Sequence, residues 1–413
     1  MRRYLWAAIL LVSIFQDGKC QQADKNDWGV KPSGFVKTDF FYDTRQSSAS
    51  NGLREGHFYL YPDNILPDFE GKDLNANPSF HMLSLQSRLR GEITAPDAFG
   101  AKTTGAIEAE FFGTSESDLN GFRLRHAFVK LDWSRFSLMV GQNWHPLFPA
   151  ESFPGTISFN TGAPFVPFSR NPQARLSYKA GPATLQFTLY SQRDFTSTGV
   201  DGASSKYLRN SGLPGSDFQV KIPVNDALTV WGGIDYKKLR PEIKTATNFE
   251  TESAIGSIAV FSTLKAKTRL LNVSMMGSYV QNGTDLMMLG GYAVSEITDL
   301  LRQEKKYVTL NSANVWIDIA TNGSIVSAGV FAGYSSNLGS SSMISGQVYS
   351  RGSNIDHLYR ISPRVIFTSG KVSFASEAEI TTAAYGSMMQ DGTVSNSSNV
   401  TNIRMLLSSI LRF

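Results

Sequence analysis

The sequence predicts an all-β chain: a transmembrane antiparallel up-and-down β-barrel of about 16 strands with an inward-folded loop. Three observations carry this. Apolar and polar residues alternate along most of the chain. The joints between alternating segments are by turns short and long. The chain ends on an alternating segment closed by Phe413.

The alternation is direct to read. Val36, Thr38, Phe40 and Tyr42 share one face, and Lys37, Asp39, Asp43 and Arg45 share the other, with Phe41 the exception. His81, Leu83, Leu85, Leu89 and Ile93 are expected opposite Ser84, Gln86, Arg88, Arg90 and Glu92. Ile107, Ala109 and Phe111 flank Glu108 and Glu110. Leu185, Phe187 and Leu189 flank Gln186, Thr188 and Tyr190. Val372, Phe374, Ala378 and Ile380 alternate with Ser373, Glu377 and Glu379. Successive side chains of a strand point to opposite faces, so each segment has one apolar and one polar side. Many segments have the length a tilted membrane-crossing strand needs.

Short joints fall at Ser134-Arg135, Ala180-Gly181-Pro182, Pro223 to Asp226, Lys265 to Lys267, Thr321 to Ser324 and Ser369-Gly370. Long ones cover residues 46–79, 146–172, 194–215, 239–253 and 336–357. This is the pattern of periplasmic turns and external loops. A raw count gives about 17 strands, which conflicts with the even number expected of such barrels. The weakest strand, Met287 to Ile297, contains Gly290-Gly291 and lies in what must be one external excursion, 281–305. Treating it as loop gives about 16 strands. In 122–133, Arg123 and Arg125 share parity with Val129, Leu131 and Trp133, which predicts a bulge near His126 or Ala127. At the end, Met405, Leu407, Leu411 and Phe413 share a face, the form of a closing strand with an interfacial aromatic.

Residues 1–20 read as a signal peptide: Arg2 and Arg3, an apolar run from Tyr4 to Phe15, then a polar stretch. That run is too short to span a bilayer as a helix. Cys20 is the only cysteine, so no disulfide framework or thiolate metal cluster is expected. Its neighbours Asp17, Gly18 and Lys19 do not suit a lipidation signal. Residues 21–33 are expected as a short periplasmic segment and 34–413 as the barrel. The formal charge is +4, of which Arg2, Arg3 and Lys19 against Asp17 contribute +2. The remaining charge, about +2, does not indicate a nucleic-acid surface.

With apolar faces toward lipid, the polar faces line the interior. Lys37, Arg88, Arg90, Arg123, Arg125 and Arg175 are expected there with Glu108 and Glu110, the five arginines forming a basic wall. Such a wall favours anions, because a guanidinium stays charged and holds carboxylates in pairs of hydrogen bonds. The same arginines can instead pair with carboxylates and merely solvate the lumen. A second cluster places Arg360, Arg364 and Arg404 near Glu377 and Glu379. Loop 146–172 is rich in Pro and Phe and poor in charge. It is expected to fold inward as a constriction, with Glu151, Phe153, Phe159, Phe165 and Arg170 as its marked residues.

The segments Gly34-Phe-Val-Lys-Thr-Asp-Phe-Phe-Tyr-Asp43, Ser87-Arg-Leu-Arg-Gly91, Phe122-Arg-Leu-Arg-His-Ala-Phe-Val-Lys-Leu131 and Val140-Gly-Gln-Asn-Trp-His145 together resemble the DcaP-like porin family. The resemblance is clearest over 34–190. It implies a trimeric barrel with an inward loop and a basic constriction admitting small anions such as dicarboxylates. Residues 21–33 are too short for the coiled coil that extended family members carry.

The reading that follows is a passive, water-filled pore for small hydrophilic solutes, with a preference for anions such as carboxylates, in the outer membrane of a Gram-negative bacterium. Its partners are outer-membrane lipids and small anionic or polar solutes, without nucleic acid, metal or cofactor. A non-pore surface receptor or adhesin is the alternative. A lipid hydrolase is a weaker one: His126, His145 and Ser137 are near each other in sequence, but nothing marks an activated serine.

Overall fold

The computed structural model describes residues 28–47, 52–53, 56–113 and 115–413. The signal segment 1–20, Cys20 included, lies outside the described residues. Sixteen antiparallel strands close into one barrel. They are β1 Gly29–Asp43, β2 in two pieces Ser79–Leu83 and Arg88–Ala98, β3 Ala101–Glu110, β4 Arg123–Asp132 and β5 Phe136–Trp144. Then come β6 Arg170–Ala180, β7 Ala183–Tyr190, β8 Gly215–Asn225, β9 Leu228–Leu239, β10 Ile255–Lys267 and β11 Leu271–Gln281. The last are β12 Glu304–Thr321, β13 Val326–Gly339, β14 Ile355–Ser369, β15 Val372–Met388 and β16 Val394–Arg412. β1 starts ahead of residue 34, since Gly29–Gly34 already pair with Leu89–Thr94.

Closure is made by β1 against β16, from Phe35 opposite Arg412 to Asp43 opposite Arg404. Lipid offers no hydrogen bonds to a bare strand, so a spanning sheet must have no edge. At the seam, Gly34 and Phe413 exchange backbone hydrogen bonds of 3.2 Å in both directions.

Tight turns alternate with long connections around the barrel. The turn after β10 is 268–270 rather than Lys265 to Lys267. Those lysines continue the strand, paired with Asn272–Ser274, and the Thr268 hydroxyl accepts from Leu271 N at 3.0 Å to make the turn. The long-loop end carries L1 (44–78), L2 (111–122), L3 (145–169), L4 (191–214), L5 (240–254), L6 (282–303), L7 (340–354) and L8 (389–393).

Segment 287–297 is not plain loop: Gly290–Asp299 is a strand. It stands outside the wall, because β11 and β12 pair directly from Leu271–Thr321 to Gln281–Asn311. Gly290–Asp299 pairs instead with the upper end of β12 and with Val348–Arg351. The strand count of the wall is therefore unaffected.

The two faces separate by exposure. Phe80, Met82, Ile107, Phe374 and Leu407 are each 57% or more exposed, whereas Asp43, Glu110 and Glu379 are 1% or less. A ring of bare aliphatic and aromatic side chains around buried charges is the reverse of a soluble protein and marks the outer face as lipid-facing. One expected parity is wrong. His81 and Leu83 face inward, while Phe80 and Met82 face lipid. Relative to β1, one extra residue lies between Leu83 and Arg88, which flips the faces and turns Leu85 into the interior. The bulge expected in 122–133 is present: Glu108 pairs with His126 and Ala109 with Leu124, leaving Arg125 extra. Both Arg125 and His126 consequently point inward and are buried.

The seam yields a test. A Cβ on Gly34 would sit 2.3 Å from the Arg88 carbonyl oxygen and 2.8 Å from the Phe413 ring. Gly34→Val should destabilise the folded barrel by about 1–3 kcal/mol. Urea unfolding in micelles, with the mobility difference between boiled and unboiled samples, reads this. Wild-type stability in the variant would contradict the seam geometry.

Candidate functional site

The interior is built from wall residues and from loops that fold back into the lumen. L3 leaves β5 at His145, crosses to the opposite wall and returns to β6 at Arg170. Glu151 pairs with Lys221 on β8. Gly155 N donates to Asp318 Oδ2 on β12 at 3.2 Å. Ile157 N and Ser158 N both donate to Glu377 on β15, the latter at 3.1 Å. Lys37 Nζ on β1 donates to the Ile157 carbonyl at 2.5 Å. Asn160 Nδ2 donates to Glu379 Oε1 at 2.7 Å, and Arg360 Nη1 on β14 to the Ala163 carbonyl at 3.0 Å. Charged wall residues thus hold the backbone of an otherwise apolar loop.

Phe159 and Phe165 are fully buried in this partition. Phe159 stacks on Phe112 of L2 at 4.1 Å between centroids, and Phe165 lies 6.0 Å from Phe331 of β13. Phe153 stays half exposed beside Phe148. Besides L2, L1 and L6 join the partition, and nothing local in the sequence announces them. L1 inserts Phe58 to Tyr61, and L6 inserts Leu286 to Leu289, all nearly inaccessible. His57 Nε2 lies 2.7 Å from Asp39 Oδ2, and burial pulls its pKa below the usual imidazole value despite that carboxylate.

Four of the five arginines assigned to the wall come together, with Arg170 in place of Arg175. Arg88 and Arg125 share Glu108 and Glu110. Arg125 Nε is 2.7 Å from Glu108 and its Nη1 2.6 Å from Glu110. Arg88 Nη2 is 3.1 Å from Glu110. Arg90 lies between Glu108 at 3.1 Å and Glu92 at 3.2 Å. Arg123 and Arg170 bridge Glu110 and Asp194 of L4, Arg170 Nε reaching Asp194 at 2.8 Å. Burial alone would raise the Asp194 carboxyl, but the Arg170 and Arg123 guanidinium groups outweigh it and hold it below its ordinary value. Five guanidinium groups face four carboxylates, so the cluster has little net field. Arg123, Arg125 and Arg170 are sealed from solvent, and only Arg88 and Arg90 keep partial exposure.

Arg175 stands apart on β6, its Nη2 donating to the Trp144 carbonyl at 3.0 Å. It lines a cavity of about 550 Å³ beneath L3, at the short-turn end. Lys130, Arg135, Arg175, Lys179 and Lys221 line it, against Asp132 and Glu151, a formal net of +3. Lys130 pairs with Asp132 at 2.8 Å. Trp231, Phe128 and Phe148 add apolar surface. The second arginine cluster is also internally matched: Arg364 with Asp318 at 2.6 Å, Arg404 with Asp43 at 2.8 Å, and Arg360 with Glu379 at 3.2 Å.

Ser137 and His126 are not brought together. Ser137 pairs opposite Asp132 near the short-turn end, whereas His126 lies at the bulge against Trp144. Among the described residues no group of three or more His, Cys, Asp or Glu is placed to hold a metal ion.

The architecture is similar to that of solved outer-membrane barrels. Against the outer membrane channel DcaP of Acinetobacter baumannii the TM-score is 0.70 at 16% identity, covering 96% of this chain and 100% of that one. Against OmpT of Vibrio cholerae it is 0.55 at 8% identity, covering 95% and 100%. Against the anion-selective porin from Comamonas acidovorans it is 0.54 at 10% identity, covering 94% and 100%. No family model and no curated protein matches the chain. At these identities the likeness is one of fold, a closed 16-stranded barrel like that of the DcaP channel.

Glu110 is the centre of the arginine cluster, reached by Arg88, Arg123, Arg125 and Arg170. Glu110→Gln should cost about 3–5 kcal/mol, because it strands buried cations without a counter-charge. The same urea titration measures it. A loss below about 1 kcal/mol would show that solvent reaches these arginines.

Proposed function

We propose that the chain is a passive diffusion channel of the Gram-negative outer membrane for small hydrophilic solutes, with a preference for anions such as carboxylates. Residues 1–20 would be removed on export, and the working form would be a homotrimer. The observation that carries the reading is the basic vestibule beneath an inward-folded loop in a porin barrel. Cations that remain near water act on a passing ion, whereas sealed and matched ones do not. Selectivity is therefore assigned to Arg175, Lys179, Lys221 and Lys130, with the partly exposed Arg88 and Arg90 beside Glu108 contributing, more than to Arg123 and Arg125. Glu151 tempers the field by pairing with Lys221.

The named relatives support this at the level of their own descriptions: one is a channel and one an anion-selective porin. A V. cholerae neighbour is described in a trimer form. A second reading, a surface barrel that does not conduct, is favoured by one observation. Phe58, Phe159, Phe165, Met287 and Met288 pack the interior with apolar contacts from L1, L3 and L6.

Planar-bilayer recording in a potassium chloride gradient decides between them. The expected result is steady conductance with a reversal potential on the chloride side. Lys179→Glu with Lys221→Glu, each lowering the vestibule charge by two, should move the reversal toward potassium. A cation-side reversal in the wild type would refute the anion preference, and no conductance in correctly folded protein would favour the receptor reading. Deleting 152–166 should raise conductance.

A further inference from the structure

The long-loop end holds a second cavity, of about 430 Å³, within the range of small-molecule sites of about 300–1,000 Å³. Its lining comes from L1, L4, L7 and the tops of β14 and β15, and its chemistry differs from that of the vestibule. Asn64, Asn354, Thr198 and Ser350 contribute amides and hydroxyls, and Arg351 and Asp63 contribute one charge of each sign. The formal charge is zero, where the vestibule has +3. Tyr61, Tyr385 and Ile355 supply a smaller apolar flank.

Arg351 is held in place and still has hydrogen-bonding capacity. Its Nη2 rests 3.6 Å from the Met287 sulfur of the inserted L6 segment, and it interacts with the Tyr61 hydroxyl. Its backbone pairs with Gly290. Its Nε is buried with no hydrogen-bond partner. That atom is closed off, so a molecule in the cavity would meet the rest of the guanidinium, which lines it. A guanidinium beside two amides and two hydroxyls suits a compact molecule carrying one carboxylate and several hydroxyl groups. The amides can donate to and accept from neighbouring hydroxyls, and the guanidinium takes the carboxylate. A dicarboxylate without hydroxyls would leave most of these groups unanswered.

We propose that the cavity framed by Arg351, Asn64, Asn354, Ser350 and Thr198 is an external capture site for polyhydroxylated monocarboxylates, the sugar-acid class. The inference rests on the reading of the chain as a solute channel and names the solutes it gathers at its mouth.

Isothermal titration of the detergent-folded protein tests this with potassium gluconate, glucose and potassium succinate as probes. Gluconate should bind saturably and more tightly than glucose or succinate. Arg351→Ala should weaken gluconate about tenfold, the worth of one charge-assisted hydrogen bond, and Asn354→Ala should weaken gluconate and glucose alike. Boiled and unboiled mobility checks that both variants fold. The proposal is overturned if gluconate does not saturate, if Arg351→Ala leaves its affinity unchanged, or if succinate binds more tightly with the same Arg351 dependence. Wild-type conductance in potassium chloride tests the channel reading separately: its absence alongside Arg351-dependent gluconate binding would remove the channel and keep the site.

Discussion

In hydrocarbon no water is available to a strand's amide and carbonyl groups, and each one left unmade costs several kcal/mol. Everything else in this molecule answers to that constraint. It requires β1 to meet β16, and it requires Gly34 to stay small where Phe413 and the Arg88 carbonyl crowd it. A closed sheet then has only two environments to offer its side chains. Phe80, Ile107 and Phe374 take the lipid side, and Asp43, Glu110 and Glu379 take the inside. The inward charges follow from closure and alternation, before any function is considered.

Once inside, those charges have to be matched, and the matching does mechanical work. Carboxylates at Glu377, Glu379 and Asp318 receive the backbone N–H groups and the Asn160 amide of L3, and Lys37 and Arg360 donate to its carbonyls. An apolar, Pro-rich loop has few side chains with which to bind a polar wall, so the wall binds its main chain. The arginines around Glu110 hold L4 instead by a side chain, the Asp194 carboxylate. The consequence is a division of labour by burial. Sealed cations fix loops, and the cations that line the cavity beneath L3 keep contact with water.

Much of the wall is legible in the sequence because it depends on parity and turn length, which are local. Val36, Phe40 and Tyr42 declare their face without reference to any other strand. The parity clash between Arg125 and Val129 likewise locates the bulge from within one segment. The break at 84–87 is not legible, since leucines stand at the matching positions of either register and only the pairing with β1 decides. The Pro and Phe content of L3 shows that it avoids water, yet the equally apolar Phe58–Tyr61 and Leu286–Leu289 are too short to stand out. Arg170 reads as a loop residue because its partner Asp194 lies beyond the next hairpin. Alternation tells which way Arg125 points and not what comes to lie over it, so the arginine wall and the open vestibule cannot be separated from the sequence.

The wall strands are of very unequal length. β7 has 8 residues and β16 has 19, and pairing with β1 stops at Arg404 although β16 begins at Val394. β12 likewise rises above its pairing with β11 and carries the outer strand Gly290–Asp299 beside it. At about 3.4 Å per residue the rim is therefore cut on a slant. The flank carrying the upper ends of β12 and β16 stands higher than the one at β7. The barrel therefore has an approach side as well as an axis.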